Sequence, residues 1–333
     1  RTSLTEIKNV LTSISYTDYL AMYESSGRPD ETVDIDIFGN INGDETNITY
    51  QVVDGADYGK DGKVLLIGDD GKISFNINIK TAGFYNILVE YYTGNISVYD
   101  ADGNLATVGK NASIERMVMI DGKVPFKEAR SISFSRAWSD SYPELDGDYK
   151  VVKTDGNKTY YDSTSTKFFE SVANGDRIFQ RDNNGNEMKP EKTIVGIWYT
   201  KRLFDSSGYS NAPLMFHFEN GEHVISLNTV REPFAVKSIK LVPIAETISY
   251  EEYLAEHKNA KDYSGDDIII QAEYPSLTSD RTLYQLNDRT SVISQPQDSA
   301  LIRLNSIGGD KWTYVGQWIE YTFEAPEDGF YYV

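Results

Sequence analysis

The residues able to carry chemistry are few in kind. The chain has 333 residues with no cysteine and only three histidines, which excludes disulfides, thiolate metal sites, iron–sulfur clusters and cysteine nucleophiles. His217 and His223 lie in separate strand-like runs and His257 ends a polar helical stretch. No Ser/His/Asp arrangement or metal-ligand spacing joins them. A glycosidase needs two carboxylates facing each other across a sugar at about 5 to 9.5 Å, one of them with a pKa raised by burial. Carboxylates abound here, yet no spacing isolates such a pair, and the expectation is a chain that is not an enzyme.

Sugar recognition has a clearer basis. Aromatic rings stack on the C–H face of a pyranose while Asp, Asn, Glu or Arg side chains hydrogen-bond its hydroxyls in a shallow, pre-formed site. Trp138 closes an alternating apolar run with Arg136 two residues earlier, Tyr209 sits in the loop Ser206-Ser207-Gly208-Tyr209, and Arg231-Glu232-Pro233 stands at a strand exit. Trp312 follows Gly308-Gly309-Asp310-Lys311. Arg136, Trp138, Tyr209, Arg231, Glu232 and Trp312 are therefore the carbohydrate-binding candidates. Structural readings stand beside them: Trp138 as a plug at the end of a core, Trp198 and Trp318 as core, and Arg231-Glu232 as an internal ion pair. The oxygen-rich loop 54–62 makes Asp54, Asp57 and Asp61 weak candidates for a structural Ca²⁺, although EF-hand order is missing. No other cofactor is expected.

Charge narrows the partners. With 51 acidic against 32 basic side chains the formal net charge is −19, which repels phosphate backbones and argues against nucleic acid. Apolar runs such as 63–67 and 84–89 fall far short of the roughly 20 residues that cross a bilayer, so membrane insertion is not expected. No apolar export stretch opens the sequence, and a start at Arg1 with an end at Val333 reads as a fragment of a longer protein.

The elements that must position these residues are mainly strands. Ile73, Phe75, Ile77 and Ile79 alternate with Ser74, Asn76 and Asn78, the period of a half-buried strand. Strand-like runs recur at 85–92, 96–99, 114–120, 132–134, 194–204, 214–218, 224–230 and 236–242, separated by turn signals such as Asp121-Gly122 and Asn220-Gly221. No long amphipathic helix intervenes, so the expected fold is mainly β: an antiparallel β-sandwich of jelly-roll type with short linking helices at 4–11, 15–24 and 249–257.

A duplication sets the domain organisation. Ile14-Ser15-Tyr16-Thr17-Asp18-Tyr19-Leu20 returns as Ile248-Ser249-Tyr250-Glu251-Glu252-Tyr253-Leu254. Each copy leads to a strand-like run (33–37 and 268–273) and later to a Gly-aromatic-Tyr turn (83–85 and 329–331). The reading is a lead helix at 1–13, a complete module at 14–246 carrying a long insertion at 139–190, and at 247–333 a linker helix with the first strands of a truncated second module. The strand ending at 333 is expected to leave apolar surface and an open sheet edge.

The run 114–129, Ile-Glu-Arg-Met-Val-Met-Ile-Asp-Gly-Lys-Val-Pro-Phe-Lys-Glu-Ala, resembles the central hairpin of galactose-binding-like jelly rolls at the N-terminus of bacterial extracellular solute-binding proteins. Phe134-Ser135-Arg136-Ala137-Trp138, Val230-Arg231-Glu232-Pro233 and Gly316-Gln317-Trp318-Ile319-Glu320-Tyr321 fit the same pattern. The resemblance implies tandem carbohydrate-binding modules on the cell surface, on a lipid-anchored protein whose missing C-terminal domain would meet the permease of a carbohydrate ABC importer. The expected function is non-catalytic binding of an oligo- or polysaccharide. The alternatives are spacer modules without a ligand and an accessory region of a glycoside-processing enzyme.

Overall fold

The computed structural model describes residues 13–141 and 179–333, and between them only the strands Glu144–Leu145, Val151–Asp155 and Lys158–Tyr160. The helix expected at 4–11 and most of the stretch 139–190 lie outside the described residues. The chain forms two compact units, residues 1–136 with 194–247 and residues 137–193 with 248–333.

In the first unit the strands are β1 (Val33–Ile35), β2 (Tyr50–Asp54), β3 (Lys63–Ile67), β4 (Lys72–Ile79), β5 (Gly83–Tyr92), β6 (Ser97–Tyr99), β7 (Leu105–Val108), β8 (Ile114–Ile120) and β9 (Ile132–Phe134). In the chain β10 (Ala137–Ser141), the three strands named above as β11 to β13, and β14 (Glu191–Val195) follow. The first unit then resumes with β15 (Trp198–Arg202), β16 (Met215–Phe218), β17 (Gly221–Arg231) and β18 (Phe234–Val242). The order β15-β5-β18-β3-β2, with β1 on β18 and β16 on β5, makes a seven-stranded sheet. The order β4-β17-β8-β9 makes a four-stranded one, and the strands within both pair antiparallel. The alternating residues close the core between them: Ile73, Phe75, Ile77 and Ile79 from one sheet and Ile87, Val89 and Tyr91 from the other are buried in one cluster. The first unit is an antiparallel β-sandwich, as the periodicity predicts. The expected run 194–204 divides into β14 and β15 at Gly196.

The first helix, α1 (Tyr16–Met22), starts at Ser15, whose hydroxyl accepts from the Asp18 N–H at 3.1 Å. Its two tyrosines face inward. The Tyr16 hydroxyl accepts from the Met215 N–H (2.8 Å) and that of Tyr19 from the His217 N–H (2.7 Å), so the helix satisfies the free edge of β16. The turn before β5 needs glycine: Gly83 has φ +152, and a Cβ there would stand 2.6 Å from the Gly27 carbonyl oxygen.

In the second unit, β10 pairs with β19 (Leu277–Thr278), which pairs with β22 (Ile319–Glu320); β20 (Gln285–Leu286) pairs with β21 (Ser306–Ile307). The end of the stretch read as an insertion belongs here. Asn186 Oδ1 accepts from the Ile302 N–H (2.9 Å), and Glu187 Oε2 accepts from the Leu304 N–H (2.8 Å) while pairing with Arg303. These are side chains fixing a neighbouring backbone, a signal that strand periodicity does not carry. The expected strand at 268–273 is not formed; Ile269 and Ile270 are exposed, and among the described residues no strand lies beside them to take their backbone hydrogen bonds. The second copy of the helix, α2 (Tyr250–Glu256), has a full capping box between Ser249 and Glu252, but Tyr250 and Tyr253 are exposed. With no buried face to hold it, α2 leans on its cap. Ser249→Ala is expected to cost the helix about 1 kcal/mol, read as roughly fivefold faster amide hydrogen exchange along its first turns.

Candidate functional site

The predicted residues divide into internal and external groups. Arg136 is buried, and its Nη2 meets Glu232 Oε2 at 3.0 Å. Its other nitrogens donate to the carbonyls of Ala112 (2.9 Å), Thr93 (3.1 Å) and Gly94 (2.6 Å). Burial lowers the Arg136 pKa, an effect opposed by the Glu232 carboxylate. The Lys110 N–H also reaches Glu232 Oε2 at 2.7 Å. Arg116, fully buried, bonds the carbonyls of Arg231 (2.9 Å) and Glu232 (2.8 Å) from the other side. Arg136 and Glu232 thus tie together the loops at one end of the sandwich. Arg231 is exposed and pairs with Glu115. Trp138 is buried beside Thr278. Trp198 lies half-buried, its Nε1–H donating to the Tyr58 carbonyl at 2.8 Å and its ring beside Tyr92.

Two aromatic loops face outward. Tyr209 is 91% exposed, on a loop drawn round the Asp205 carboxylate, which accepts from the N–H groups of Ser207 (2.9 Å), Tyr209 (2.7 Å) and Ser210 (3.1 Å). Burial pushes the Asp205 pKa up, but these bonds outweigh it and hold the carboxyl below its ordinary range. In the second unit Trp312 is 51% and Tyr314 71% exposed. Their loop is fixed by one side chain: Gln317 Oε1 accepts from the N–H groups of Thr313 and Tyr314, each at 2.9 Å. A short 3₁₀ turn, Gly309–Lys311, leads into Trp312, and Gly308 at φ +77 starts it. Asp310 and Lys311 stand exposed beside it. The composite is a loop held by Gln317 that exposes two rings with a carboxylate and an ammonium beside them, groups of the kinds that stack on and hydrogen-bond a pyranose. Trp312 is the one of the six candidates at its centre. Tyr314 and Gln317 are additional, and the signal for them was the Gly-bounded run of aromatics ending in Gly316-Gln317.

The remaining candidates do not assemble. Asp54 caps the short turn that follows it, accepting from the Ala56 N–H at 3.0 Å, and the Lys237 ammonium occupies the Asp61 and Lys63 carbonyls. Among the described residues no group of three His, Asp or Glu side chains converges as metal ligands. The residues of this loop do not fit a Ca²⁺ cage, which takes six to eight oxygens. The histidines serve packing: His217 stacks on Tyr23, His223 Nδ1 meets Asp121 at 2.7 Å, and His257 meets the Tyr253 carbonyl.

No family model and no curated protein sequence matches the chain. Among solved structures it is similar to the catalytic domain of a GH87 alpha-1,3-glucanase in complex with nigerose, at 11% identity and a TM-score of 0.31, covering 67% of this chain and 30% of that one. It is also similar to the Agl-KA catalytic domain, at 10% identity and a TM-score of 0.27 with the same coverage. The chain thus spans under a third of the length of these structures. They correct one expectation: the sequence reading makes the chain non-catalytic, whereas these neighbours are catalytic domains of glycoside hydrolases, and that reading is dropped. At such TM-scores the likeness does not assign an activity in its place.

Proposed function

We propose that the chain is a carbohydrate-recognition region of a larger glycan-processing protein, with Trp312 and Tyr314 as the stacking platform. The supporting observation is the Gln317 clamp, which holds two exposed rings on a fixed loop. Exposed aromatics on a loose loop would lose affinity to ordering, whereas pre-organisation removes that cost. Asp310 and Lys311 supply hydroxyl partners at the loop's edge, and a net charge of −19 favours neutral glycans over polyanions in bulk. Tyr209 on its Asp205-centred loop gives the first unit an exposed ring of the same kind.

Affinity electrophoresis through gels of neutral polysaccharides, with an α-1,3-glucan and a β-glucan as two of the probes, tests the reading. Retention by at least one is expected, and Trp312→Ala should abolish it. Gln317→Ala, which leaves both rings but frees the loop, should weaken binding about three- to tenfold. A chain that migrates unretarded in every gel, or a Trp312→Ala variant retained like the parent, would overturn it.

A further inference from the structure

On the outer face of the seven-stranded sheet, Trp198, Thr200 and Arg202 of β15 lie opposite Tyr92, Glu90 and Leu88 of β5. Their neighbours in β5, Tyr91, Val89 and Ile87, are buried in the core, so these six side chains share the face turned away from it. An apolar floor adjoins them: Val64, Leu66 and Ala235 of the same face form a small buried cluster with Ile96 and Val98, and Tyr58, Tyr92 and Trp198 pack round it.

The cations of this face have one exception to their pairing. Lys60 forms an ion pair with Glu90 and lies 5.7 Å from the centre of the Trp198 ring. Lys237 holds the carbonyls of the 61–63 turn, and Lys240 pairs with Asp34 at 2.9 Å. Arg202 is half-buried, its Nε is shut from solvent without a hydrogen-bond partner, and among the described residues no carboxylate pairs with its guanidinium. A guanidinium has five donors in a planar fork that matches a carboxylate bidentately. Leaving it unmatched on a partly dry surface is costly unless something else completes it. The adjacent Lys201 points the other way, into the sandwich, where it donates to the Ser133 carbonyl at 2.9 Å, and burial pushes its pKa down to about 8. It does not share the face.

We infer that this face is a second carbohydrate site, independent of the Trp312 loop, and that it takes a short acidic oligosaccharide whose uronate carboxylate seats on Arg202. From Trp198 to Arg202 the strand runs about 13 Å, the scale of a di- to trisaccharide. The ligand's hydroxyls meet Thr200 and the Lys60–Glu90 pair, and its apolar edge meets the Trp198 and Tyr92 rings. The overall negative charge of the chain does not forbid this contact. At physiological salt, charges beyond about 8 Å are screened, and a direct guanidinium–carboxylate bond is not.

Calorimetric titration of the whole chain with trigalacturonate, and with maltotriose as the neutral control, decides it. The acidic trimer is expected to bind and Arg202→Ala to weaken it at least tenfold. Arg202→Lys should recover only part, because an ammonium lacks the fork. Trp312→Ala should leave this titration unchanged, which separates the site from the loop in the second unit. Unaltered thermal melts of the Arg202 variants show that the fold is kept, and Arg202→Gln serves if alanine disturbs it. No binding of trigalacturonate at millimolar concentration, equal binding of the two trimers by the Trp312→Ala variant, or binding that survives both Arg202→Ala and Arg202→Gln would overturn the inference.

Discussion

At pH 8, Glu273→Gln raises the stability of the second unit by about 1 to 3 kcal/mol, while at pH 4.5 the two proteins unfold together. Glu273 is 2% exposed, and burial first, then the charge of Glu187, pushes its carboxyl up to about 7 from an ordinary 4.5. The unfolded chain gives up this proton near pH 4.5 and the folded chain near 7. Between those values the folded state holds a proton that the unfolded state has lost, so stability falls as pH rises. The contribution is fully present below 4.5 and gone once pH has passed through 7. At 1.36 kcal/mol per unit the interval corresponds to an upper value of about 3 kcal/mol.

The surroundings explain why the acid is held neutral. Asp140 faces Lys192 at 2.6 Å and accepts from Gln285 Nε2, which also donates to the backbone carbonyl of Glu273 at 2.9 Å. Glu187 is engaged by Arg181 at 3.5 Å and Arg303 at 3.8 Å. Lys192, Arg181 and Arg303 are thus matched to other carboxylates, and among the described residues no cation pairs with Glu273. Glutamine keeps the neutral shape at every pH. Amide exchange in β20 and β21 across pH 5 to 8.5 measures the effect: protection should fall with pH in the parent and stay level in the variant. Parallel curves would show that the Glu273 carboxyl ionises normally.

The longer strands of the first unit were legible because their pattern is set by burial on one face, which the sequence writes every second residue, whereas β2 and β7, with most residues exposed or half-buried, carry no such pattern. β8 and β9 start and stop where Ile114–Ile120 and Ile132–Phe134 were expected. The helices expected from Ser15 and Ser249 were legible for a similarly local reason. What could not be read was pairing between distant side chains and backbone. Asn186 and Glu187 hold residues 302–304, across more than a hundred residues, through single hydrogen bonds that leave no periodic trace. The same limit applied at the sites. Trp312 was recognisable from its glycine-rich flank, but the clamp by Gln317 depends on a turn geometry. Arg231 and Glu232 read in sequence as an internal ion pair or a ligand rim at a strand exit, and only three dimensions show that the inward partner of Glu232 is Arg136 while Arg231 pairs with Glu115.

That inward pair makes Arg136→Ala a severely damaging substitution in the first unit, expected to cost about 3 to 5 kcal/mol. Its loss strands the Glu232 carboxylate in a buried position with the Lys110 N–H as its remaining described partner, and it removes donors from the carbonyls of Thr93, Gly94 and Ala112. Glu232 is itself held at φ +69, a conformation that non-glycine residues rarely adopt, between a bulge in β17 and Pro233. Arg116 grips the main-chain carbonyl of this residue while Arg136 grips its carboxylate, so the strained turn is fixed from both sides. A double-mutant cycle isolates the pair. Arg136→Met with Glu232→Gln removes both charges together and should cost less than the two single changes added, by about 1 to 3 kcal/mol of coupling. Arg136→Lys should recover little, since one ammonium with three donors cannot span a carboxylate and three carbonyls that a guanidinium meets in one plane. Urea denaturation of the four proteins gives these values. Additive single and double changes would mean that Arg136 acts through its carbonyl contacts alone, and that the Glu232 carboxylate is satisfied without it.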